Sequence, residues 1–358
     1  MALLEGSVPV QLIQAFRRQL AQGQAAGFVP KEQLADLYNL LQSWQEQPTG
    51  DAAASENANE VTIANVLTLG DYWLTNAIQQ GWLRPLNLRE IPAWQTLASQ
   101  EIWQTLVQRD RQGQPSPDGE IWAAPYRWGT LMMVYRAEQF KDKGWAAPTD
   151  WDALWRPELK RQISLLDSPR SVIGLTLKKL GRSINTTDLD AVADLKAELQ
   201  ALNQQVKFYS SDSYLQALVV EDTQLAVGWS NEILPLLKRN RQLAAAVPAS
   251  GTILTADLWV QPAQAPSVEP TEDRPNLLNQ WLSFCWDDEI ATQLSLLSLA
   301  ASPLFYGKER SQLPELLQES DLLLPPAEIL RQSEFLLPLS EAAINQYRRL
   351  WVEVRAET

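Results

Sequence analysis

Predicted strands and helices alternate through the middle of this chain, and the alternation restricts its fold more than any other feature of the sequence. Short apolar runs predict the strands, and apolar residues at helical spacing predict the helices between them. Alternation of this kind is typical of parallel sheets with helices on both faces. The strands are predicted at 162–167, 205–208, 224–230 and 252–261, and the helices at 169–180, 187–202, 213–220, up to Asn240, 274–286, 288–299 and 339–354.

The N-terminal part adds further elements to this pattern. The run VTIANVLTL (61–69) predicts a buried strand, and Lys31–Trp44 has leucines at the spacing of an amphipathic helix. The segment 121–136 predicts two strands that are separated by Pro125 and Gly129. A break at that point could carry the chain from one domain into another.

Length and charge limit the class of protein. The 358 residues are enough for two domains or one large one, and an apolar content of 45% supplies a sizeable core. The net charge of −13 argues against nucleic acid or an anionic membrane surface as a partner, and it is compatible with a cationic ligand. No run approaches transmembrane length, and low complexity is confined to a polar loop at 45–59. The abrupt start at Met1–Ala2 suggests that an export leader is absent.

The absence of histidine narrows the chemistry further. Ser–His–Asp and Cys–His catalysis are impossible, and zinc or haem sites are not expected, whereas carboxylate chemistry and oxygen-ligated metals stay open. Cys285 is the only cysteine, which excludes an intramolecular disulfide. The sequence contains no glycine-rich phosphate loop and no calcium-loop spacing, and nothing singles out a catalytic pair of acids.

Polar and aromatic residues follow three of the predicted strands, at the ends where ligands bind in open α/β sheets. Asp257 lies inside a fourth, apolar strand, where a carboxylate needs either a partner or a ligand. Structural roles stay open for all of them: the polar residues could cap helices, the aromatic residues could belong to the core, and Asp257 could be a satisfied structural acid. The strand-end residues are Asp71 and Tyr72 after VLTL, Asp167 and Ser168 after ISLL, and Trp229 and Ser230 after LAVG.

The turn Asp167–Ser171 opens a predicted helix and is a candidate wall of a ligand site. Ser168 suits a helix N-cap, and Pro169 suits the first helical position. Polar side chains and free backbone N–H groups converge at such a helix start. The alternative is an ordinary capped helix that packs on a sheet.

The order of several segments carries a family resemblance. These segments are PYRWGTLMMVY, DWDALWRPELKRQISLLDSPRSVIGLTLKKLGRSINTTDLD, QLAVGWS and SGTILTADLWVQP. Their order resembles the polyamine-type (spermidine/putrescine) solute-binding proteins of ABC transporters, in the form found in cyanobacteria and plastids. The resemblance runs from about Leu69 to about Pro303, and LWRPELK, LDSPR, LGRSINT and VGWS are its specific parts.

The resemblance implies an α/β protein with the two-lobed, type II periplasmic-binding-protein-like fold. In this fold each lobe is a mixed sheet flanked by helices, and the ligand cleft lies between the lobes. Lobe 1 is expected to hold 1–125 and about 257–305, and lobe 2 to hold 126–256 and about 306–358. The resemblance also implies an exported, periplasmic-type monomer that works with the membrane permease of an ABC transporter.

The resemblance also implies roles for individual residues. In the family, carboxylates hold the ammonium groups of the ligand and aromatic rings flank its methylene chain. Tyr72 and Trp229 fall on cleft aromatic residues, and Asp257 falls on an ammonium-binding aspartate. Two further acids of the family fall on Ser168 and Ser171, so both of those carboxylates are absent. Other departures are Gly70 at a serine position, Thr255 at a tryptophan position, Leu4 and Ser7 near a tryptophan and a tyrosine position, and Ala300 and Leu336 near a tyrosine and a glutamine position.

We therefore expect a non-enzymatic solute-binding protein whose small-molecule ligand is altered to a smaller or less charged amine, or to an amino acid. No cofactor, metal or nucleic acid is expected. One alternative is a degenerate binding protein that acts as an interaction partner or scaffold without a small-molecule ligand, and another is an enzyme on the same fold. The expected ligand-binding residues are Asp71, Tyr72, Asp167, Ser168, Ser171, Trp229 and Asp257.

Overall fold

The computed structural model of the protein describes residues 1–20, 24–45, 63–266 and 276–356. Nearly all of the predicted polar loop at 45–59 and the start of the predicted strand at 61–69 lie outside these residues. Within the described ranges, no helix has both the length and the apolar character needed to cross a membrane.

The elements follow the chain in a mixed α/β order. The strands are β1 (Ala2–Leu4), β2 (Val29–Lys31), β3 (Leu67–Gly70), β4 (Leu83–Arg84), β5 (Gln108–Arg109), β6 (Glu120–Ile121), β7 (Ala124–Arg136), β8 (Ile163–Leu165), β9 (Val206–Tyr209), β10 (Leu225–Trp229), β11 (Leu243–Ala246), β12 (Ile253–Pro262) and β13 (Glu334–Phe335). The α-helices are α1 (Val10–Gln19), α2 (Leu34–Gln45), α3 (Leu74–Gln79), α4 (Pro92–Ala98), α5 (Glu101–Val107), α6 (Ala137–Asp142), α7 (Pro169–Lys179), α8 (Leu195–Gln205), α9 (Tyr214–Val219), α10 (Ser230–Arg239), α11 (Leu277–Cys285), α12 (Asp288–Ser298), α13 (Ala327–Arg331) and α14 (Glu341–Ala356). Short 3₁₀ helices lie at Asp71–Trp73, Trp151–Trp155, Pro157–Leu159, Pro303–Phe305, Arg310–Gln312 and Glu315–Leu317.

The chain divides into two compact units, and both boundaries fall inside long strands. The division passes through β7 between Trp128 and Gly129, and through β12 between Thr255 and Ala256. The assignment of these units to the two lobes of the family stays a prediction. Unit 1 comprises Met1–Trp128, Ala256–Ser298 and Ser302–Leu304, and unit 2 comprises Gly129–Thr255, Leu299–Ala301 and Phe305–Thr358.

Unit 1 is built on short strands around β3. Strand β1 pairs in parallel with β2 and with β3, and β3 pairs antiparallel with β12. The register of that last pair sets Asp257 opposite Gly70. Aromatic side chains fill the core, where the ring of Phe16 meets that of Trp281 at 4.8 Å in an edge-to-face arrangement. The unit therefore presents the predicted Asp257 and the segment after β3 side by side.

Unit 2 is a sheet that is covered on both faces. Strand β10 pairs in parallel with β8 and antiparallel with β7, and β9 extends the sheet in parallel beyond β8. Along β7, Leu131 and Met133 belong to the core under α7, α8 and α14, whereas Met132 and Val134 belong to the core under α9 and α10. Since both alternating sets are fully buried, the prediction of helices on both faces is confirmed, although the sheet is mixed and not purely parallel.

The predicted break in the segment 121–136 is wrong, because β7 runs without interruption from Ala124 to Arg136. Gly129 has a packing role instead. A Cβ atom at this position would collide with the Oγ of Ser230, which accepts a hydrogen bond from the N–H of Thr130 at 3.0 Å. The glycine therefore marks a close approach within unit 2.

Three predicted element boundaries are also wrong. The predicted strand at 61–69 is shorter, since β3 begins only at Leu67. The helix predicted from Lys31 begins at Leu34, because Lys31 belongs to strand β2. The helix predicted at 187–202 begins at Leu195, because Asp194 has the left-handed conformation with φ of 65°.

Candidate ligand-binding residues

In unit 1 the structure brings Tyr72 and Asp257 together. Asp257 faces Gly70 across the β3–β12 pair, and Tyr72 follows in the 3₁₀ turn after β3. A Cβ atom on Gly70 would lie 2.7 Å from Cε1 of Tyr72, so the ring rests directly on the glycine backbone. The side chain is nevertheless 55% exposed. A serine at position 70 would displace this ring, which explains why the glycine and the ring orientation occur together.

The carboxylate of Asp257 already has a cationic partner. Nε of Arg127 donates a hydrogen bond to Oδ2 of Asp257 at 2.5 Å, and both side chains are almost fully buried. Burial alone would lower the pKa of the Arg127 guanidinium, but the adjoining carboxylate outweighs this effect and raises the pKa. The negative charge of Asp257 is therefore neutralised inside unit 1.

Arg127 was missed by reasoning from the sequence, although a signal was present. It lies in the otherwise uncharged run APYRWGTLMMVY, as anomalous there as Asp257 is in its own apolar strand. Its neighbour Tyr126 stacks on Trp259 with the ring centroids 3.9 Å apart, which holds β7 against β12 at this point. Two lone opposite charges in apolar strands are expected to pair, because neither is stable in a core without the other.

The electrostatics around Tyr72 keep its hydroxyl protonated. Partial burial raises the pKa of Tyr72, and the carboxylates of Asp71 and Asp257 raise it further. The carboxylate of Asp71 also affects the pKa of the buried Arg109 guanidinium. Burial lowers the pKa of Arg109 to about 10, and Asp71 opposes that shift. Tyr72 is therefore a hydrogen-bond donor at neutral pH with an exposed aromatic face.

In unit 2 the predicted turn lies at the carboxyl edge of the sheet beside the end of β10. Strands β8 and β10 are parallel neighbours, so Asp167–Ser171 after β8 and Trp229 after β10 emerge at the same edge. The predicted cap is confirmed. The Oγ of Ser168 accepts from the N–H of Ser171 at 3.4 Å, and the two hydroxyls are 2.9 Å apart. Ser168 and Ser171 therefore bond to each other.

Asp167 also has an arginine partner. Nη1 of Arg355, near the end of α14, lies 3.5 Å from Oδ1 of Asp167. The same guanidinium stacks over the ring of Tyr209 at 4.1 Å. Both side chains of the pair are well exposed, at 37% for Arg355 and 46% for Asp167. The pair is therefore weak, but it lowers the attraction of Asp167 for a ligand cation.

Glu232 is an acid near Trp229 that reasoning from the sequence missed. It lies in the first turn of α10, three residues after Trp229, and its carboxylate accepts a hydrogen bond from the buried Tyr214 hydroxyl. The ring of Tyr214 packs against Gly228, where any side chain would collide with it. The described residues form no salt bridge to Glu232. The strand-end rule that selected Trp229 would have found this residue if it had been extended by one helical turn.

Glu232 and Ser230 differ in whether their side chains are available to a ligand. Burial raises the pKa of Glu232, and the hydrogen bond from Tyr214 lowers it by less, so the net shift is upward. Ser230 is buried, and its hydroxyl is used by the N–H of Thr130. The suggested N-cap role of Ser230 is wrong, because Trp229 occupies the N-cap position of α10.

Comparison with known proteins identifies relatives along most of the chain. A model of the bacterial extracellular solute-binding protein family matches residues 62–333. The putrescine-binding periplasmic protein PotF of Escherichia coli K12 is 24% identical over 305 residues, which cover 79% of this chain and 76% of PotF. The spermidine/putrescine-binding periplasmic protein of Salmonella typhimurium is 28% identical over 155 residues, which cover 43% of this chain and 44% of that protein.

A solved structure supports the same relationship at the level of the fold. The spermidine/putrescine ABC transporter substrate-binding protein PotD from Streptococcus pneumoniae matches with a TM-score of 0.79 at 20% identity, covering 99% of this chain and 97% of that chain. The predicted periplasmic-binding-protein-like fold is thereby confirmed. PotF is named as a putrescine-binding periplasmic protein, and PotD is named as a substrate-binding protein of an ABC transporter. Because the family model spans residues 62–333, the chain belongs to the bacterial extracellular solute-binding protein family.

Proposed function

We propose that this protein is the solute-binding component of an ABC importer and that it binds a small amine or amino acid with a lower positive charge than a polyamine. The relatives named for putrescine and spermidine support the ligand class. The proposal includes export to the periplasm or an equivalent compartment, a monomeric state and a membrane permease as partner. The ligand-contacting residues are proposed to be Asp71, Tyr72, Asp167, Ser168, Ser171, Trp229, Asp257 and, in addition, Glu232.

The ion pair between Arg127 and Asp257 is the observation that carries the proposal. It adds one positive charge next to the acid that would hold an ammonium group. Ser168 and Ser171 supply no charge, and Asp167 is partly neutralised by Arg355. Among the described residues, no cationic side chain forms a salt bridge with the candidate acid Glu232. A ligand with several ammonium groups lacks partners here, at about 1.5–3 kcal/mol for each missing charged hydrogen bond.

Glu232 and Trp229 together suit an ammonium group. A carboxylate provides a charge-assisted hydrogen bond, and an indole face provides cation–π attraction. Tyr214 fixes the carboxylate in place from a buried position. The pair therefore offers one preorganised partner for a singly charged amine.

Calorimetric titration with putrescine, spermidine, simple monoamines and amino acids tests the proposal. We expect a singly charged amine or an amino acid to bind at least about tenfold more tightly than spermidine. The absence of both heat and a thermal shift with every ligand would overturn it. Glu232→Gln, which keeps the shape of the side chain, is expected to weaken binding, whereas Glu221→Gln at an exposed acid elsewhere in unit 2 serves as the matched control.

A second function is favoured by the same ion pair. Because Arg127 satisfies Asp257 internally, the protein does not need a cationic ligand to keep this acid stable. A degenerate binding protein that serves as an interaction partner without a small-molecule ligand would show this arrangement. Cooperative unfolding together with no response to any ligand of the panel would favour this second function.

A further inference from the structure

Arg127 is a buried cation whose hydrogen-bonding capacity is largely unused. A guanidinium has five N–H donors. Nε of Arg127 donates to Oδ2 of Asp257 at 2.5 Å, and the neighbouring Tyr126 hydroxyl also interacts with the guanidinium. The residue is only 6% exposed. The N–H groups that Asp257 does not use are suited to an acceptor that a ligand provides.

The geometry of the pair leaves both partners with a free edge. Arginine and carboxylate usually meet in a bidentate fork of two parallel hydrogen bonds. Here the contact is single, through Nε and Oδ2, so neither Nη group of Arg127 is used by Asp257 and Oδ1 of Asp257 is not used by Arg127. The Nη fork matches a second carboxylate, and Oδ1 can accept from an ammonium group.

Charge balance favours a ligand group that carries both charges. The pair is neutral by itself, so a lone ligand cation or a lone ligand anion would leave one net charge at this poorly exposed place. A zwitterionic group keeps the sum at zero and gives each charge an opposite neighbour. The protonated hydroxyl of Tyr72, which lies close enough to feel the Asp257 carboxylate, adds a donor and an exposed ring beside the same pair.

We propose, resting on the function proposed above, that Arg127 and Asp257 together bind the head group of an α-amino acid. Arg127 holds its carboxylate and Asp257 holds its ammonium. Arg127 is then the specificity residue that directs this chain from amines toward amino acids.

Three pairs of ligands that differ only by the carboxylate test this assignment on the wild-type protein. The pairs are L-ornithine with putrescine, L-lysine with cadaverine, and L-leucine with 3-methylbutylamine. We expect the amino acid to bind about 10- to 100-fold more tightly than its amine in any pair that binds, because one charged hydrogen-bonded contact is gained. The methyl ester of the same amino acid should lose this advantage.

The variant Arg127→Met removes the carboxylate receptor and releases Asp257. It is expected to lose the preference for the amino acid and to gain affinity for the amine. Arg136→Met is the matched control, because Arg136 is also a buried arginine of β7 that pairs with an acid, Glu221. This control should keep the wild-type preference. If the Arg127→Met protein does not fold, the methyl-ester comparison on wild-type protein decides alone.

The outcomes separate the two proposals. Tighter binding of the amines than of their amino acids, or equal affinity for the methyl ester and the free acid, overturns the role of Arg127 and leaves the proposed solute-binding function in place. No binding of any of the six ligands overturns both. An Arg136→Met protein that loses the preference together with Arg127→Met would also overturn the specific role of Arg127.

Discussion

Among the described residues, each unit contains a salt bridge between a candidate ligand-binding aspartate and an arginine, and these two salt bridges differ in burial. In unit 1, Arg127 and Asp257 are 7% and 10% exposed at their side chains. In unit 2, Arg355 and Asp167 are 37% and 46% exposed. The same two residue types therefore form a tight pair in a core and a loose pair at a surface. The charge of the aspartate is therefore neutralised more completely in unit 1 than in unit 2.

Breaking the buried pair should have the largest effect. Arg127→Met leaves the Asp257 carboxylate buried without its partner, and we expect the free energy of unfolding to fall by about 3–5 kcal/mol. The double variant Arg127→Met with Asp257→Asn should recover part of the loss, because no charge then remains uncompensated. Denaturant unfolding of the single and double variants measures both values. Equal stability of the wild-type and the Arg127→Met proteins would contradict a tight pair.

Glu232 provides the next test, since this candidate acid of unit 2 is not part of the exposed pair between Arg355 and Asp167. Glu232→Gln should weaken binding of an ammonium ligand by about 1.5–3 kcal/mol. The pKa of Glu232 is raised, so its carboxylate becomes protonated at a higher pH than that of an ordinary glutamate. As the pH falls, the wild-type protein should therefore begin to lose affinity at that higher pH. Calorimetry over a pH series measures this loss. A Glu232→Gln protein with unchanged affinity and pH profile would exclude this residue from the site.

The Ser168 cap should have a smaller effect on stability. Ser168→Ala removes the oxygen that accepts from the N–H of Ser171 at the start of α7 and is expected to lower the free energy of unfolding by about 1 kcal/mol. Ser168→Asp should keep the stability, because aspartate also caps helices well, and it places a carboxylate in the turn. Thermal unfolding compares the variants. A stability loss in Ser168→Asp as large as in Ser168→Ala would show that the turn cannot accept the acid.

The surface pair should have the smallest effect. Asp167→Asn is expected to change the free energy of unfolding by no more than about 1 kcal/mol, and the change should shrink further at high salt because both groups are exposed. Unfolding at low and high ionic strength measures this difference. An effect as large as that of Arg127→Met would remove the contrast between the two units.

Reasoning from the sequence predicted much of the fold and the edges at which the candidate residues lie. Strand-end residues such as Tyr72 and Trp229, and the Ser168 cap before Pro169, could be predicted because they depend on local spacing and turn chemistry. The uninterrupted course of β7 could not be predicted, because a glycine such as Gly129 is typical of a strand break. The contact with Ser230 that explains this glycine is evident only in the structure. The local sequence around Gly129 does not indicate which distant residue packs against it.

What the sequence by itself determined is the family, the alternation of elements and the presence of Asp257 in an apolar strand. Only the tertiary structure decided that this acid is paired, since Arg127 is 130 residues away along the chain and meets it through the packing of β7 beside β12. The physical reason is that the charge of a buried group depends on which opposite charge the strand register brings within hydrogen-bond distance. The proposed ligand preference therefore rests on that contact, and not on the presence of the aspartate alone.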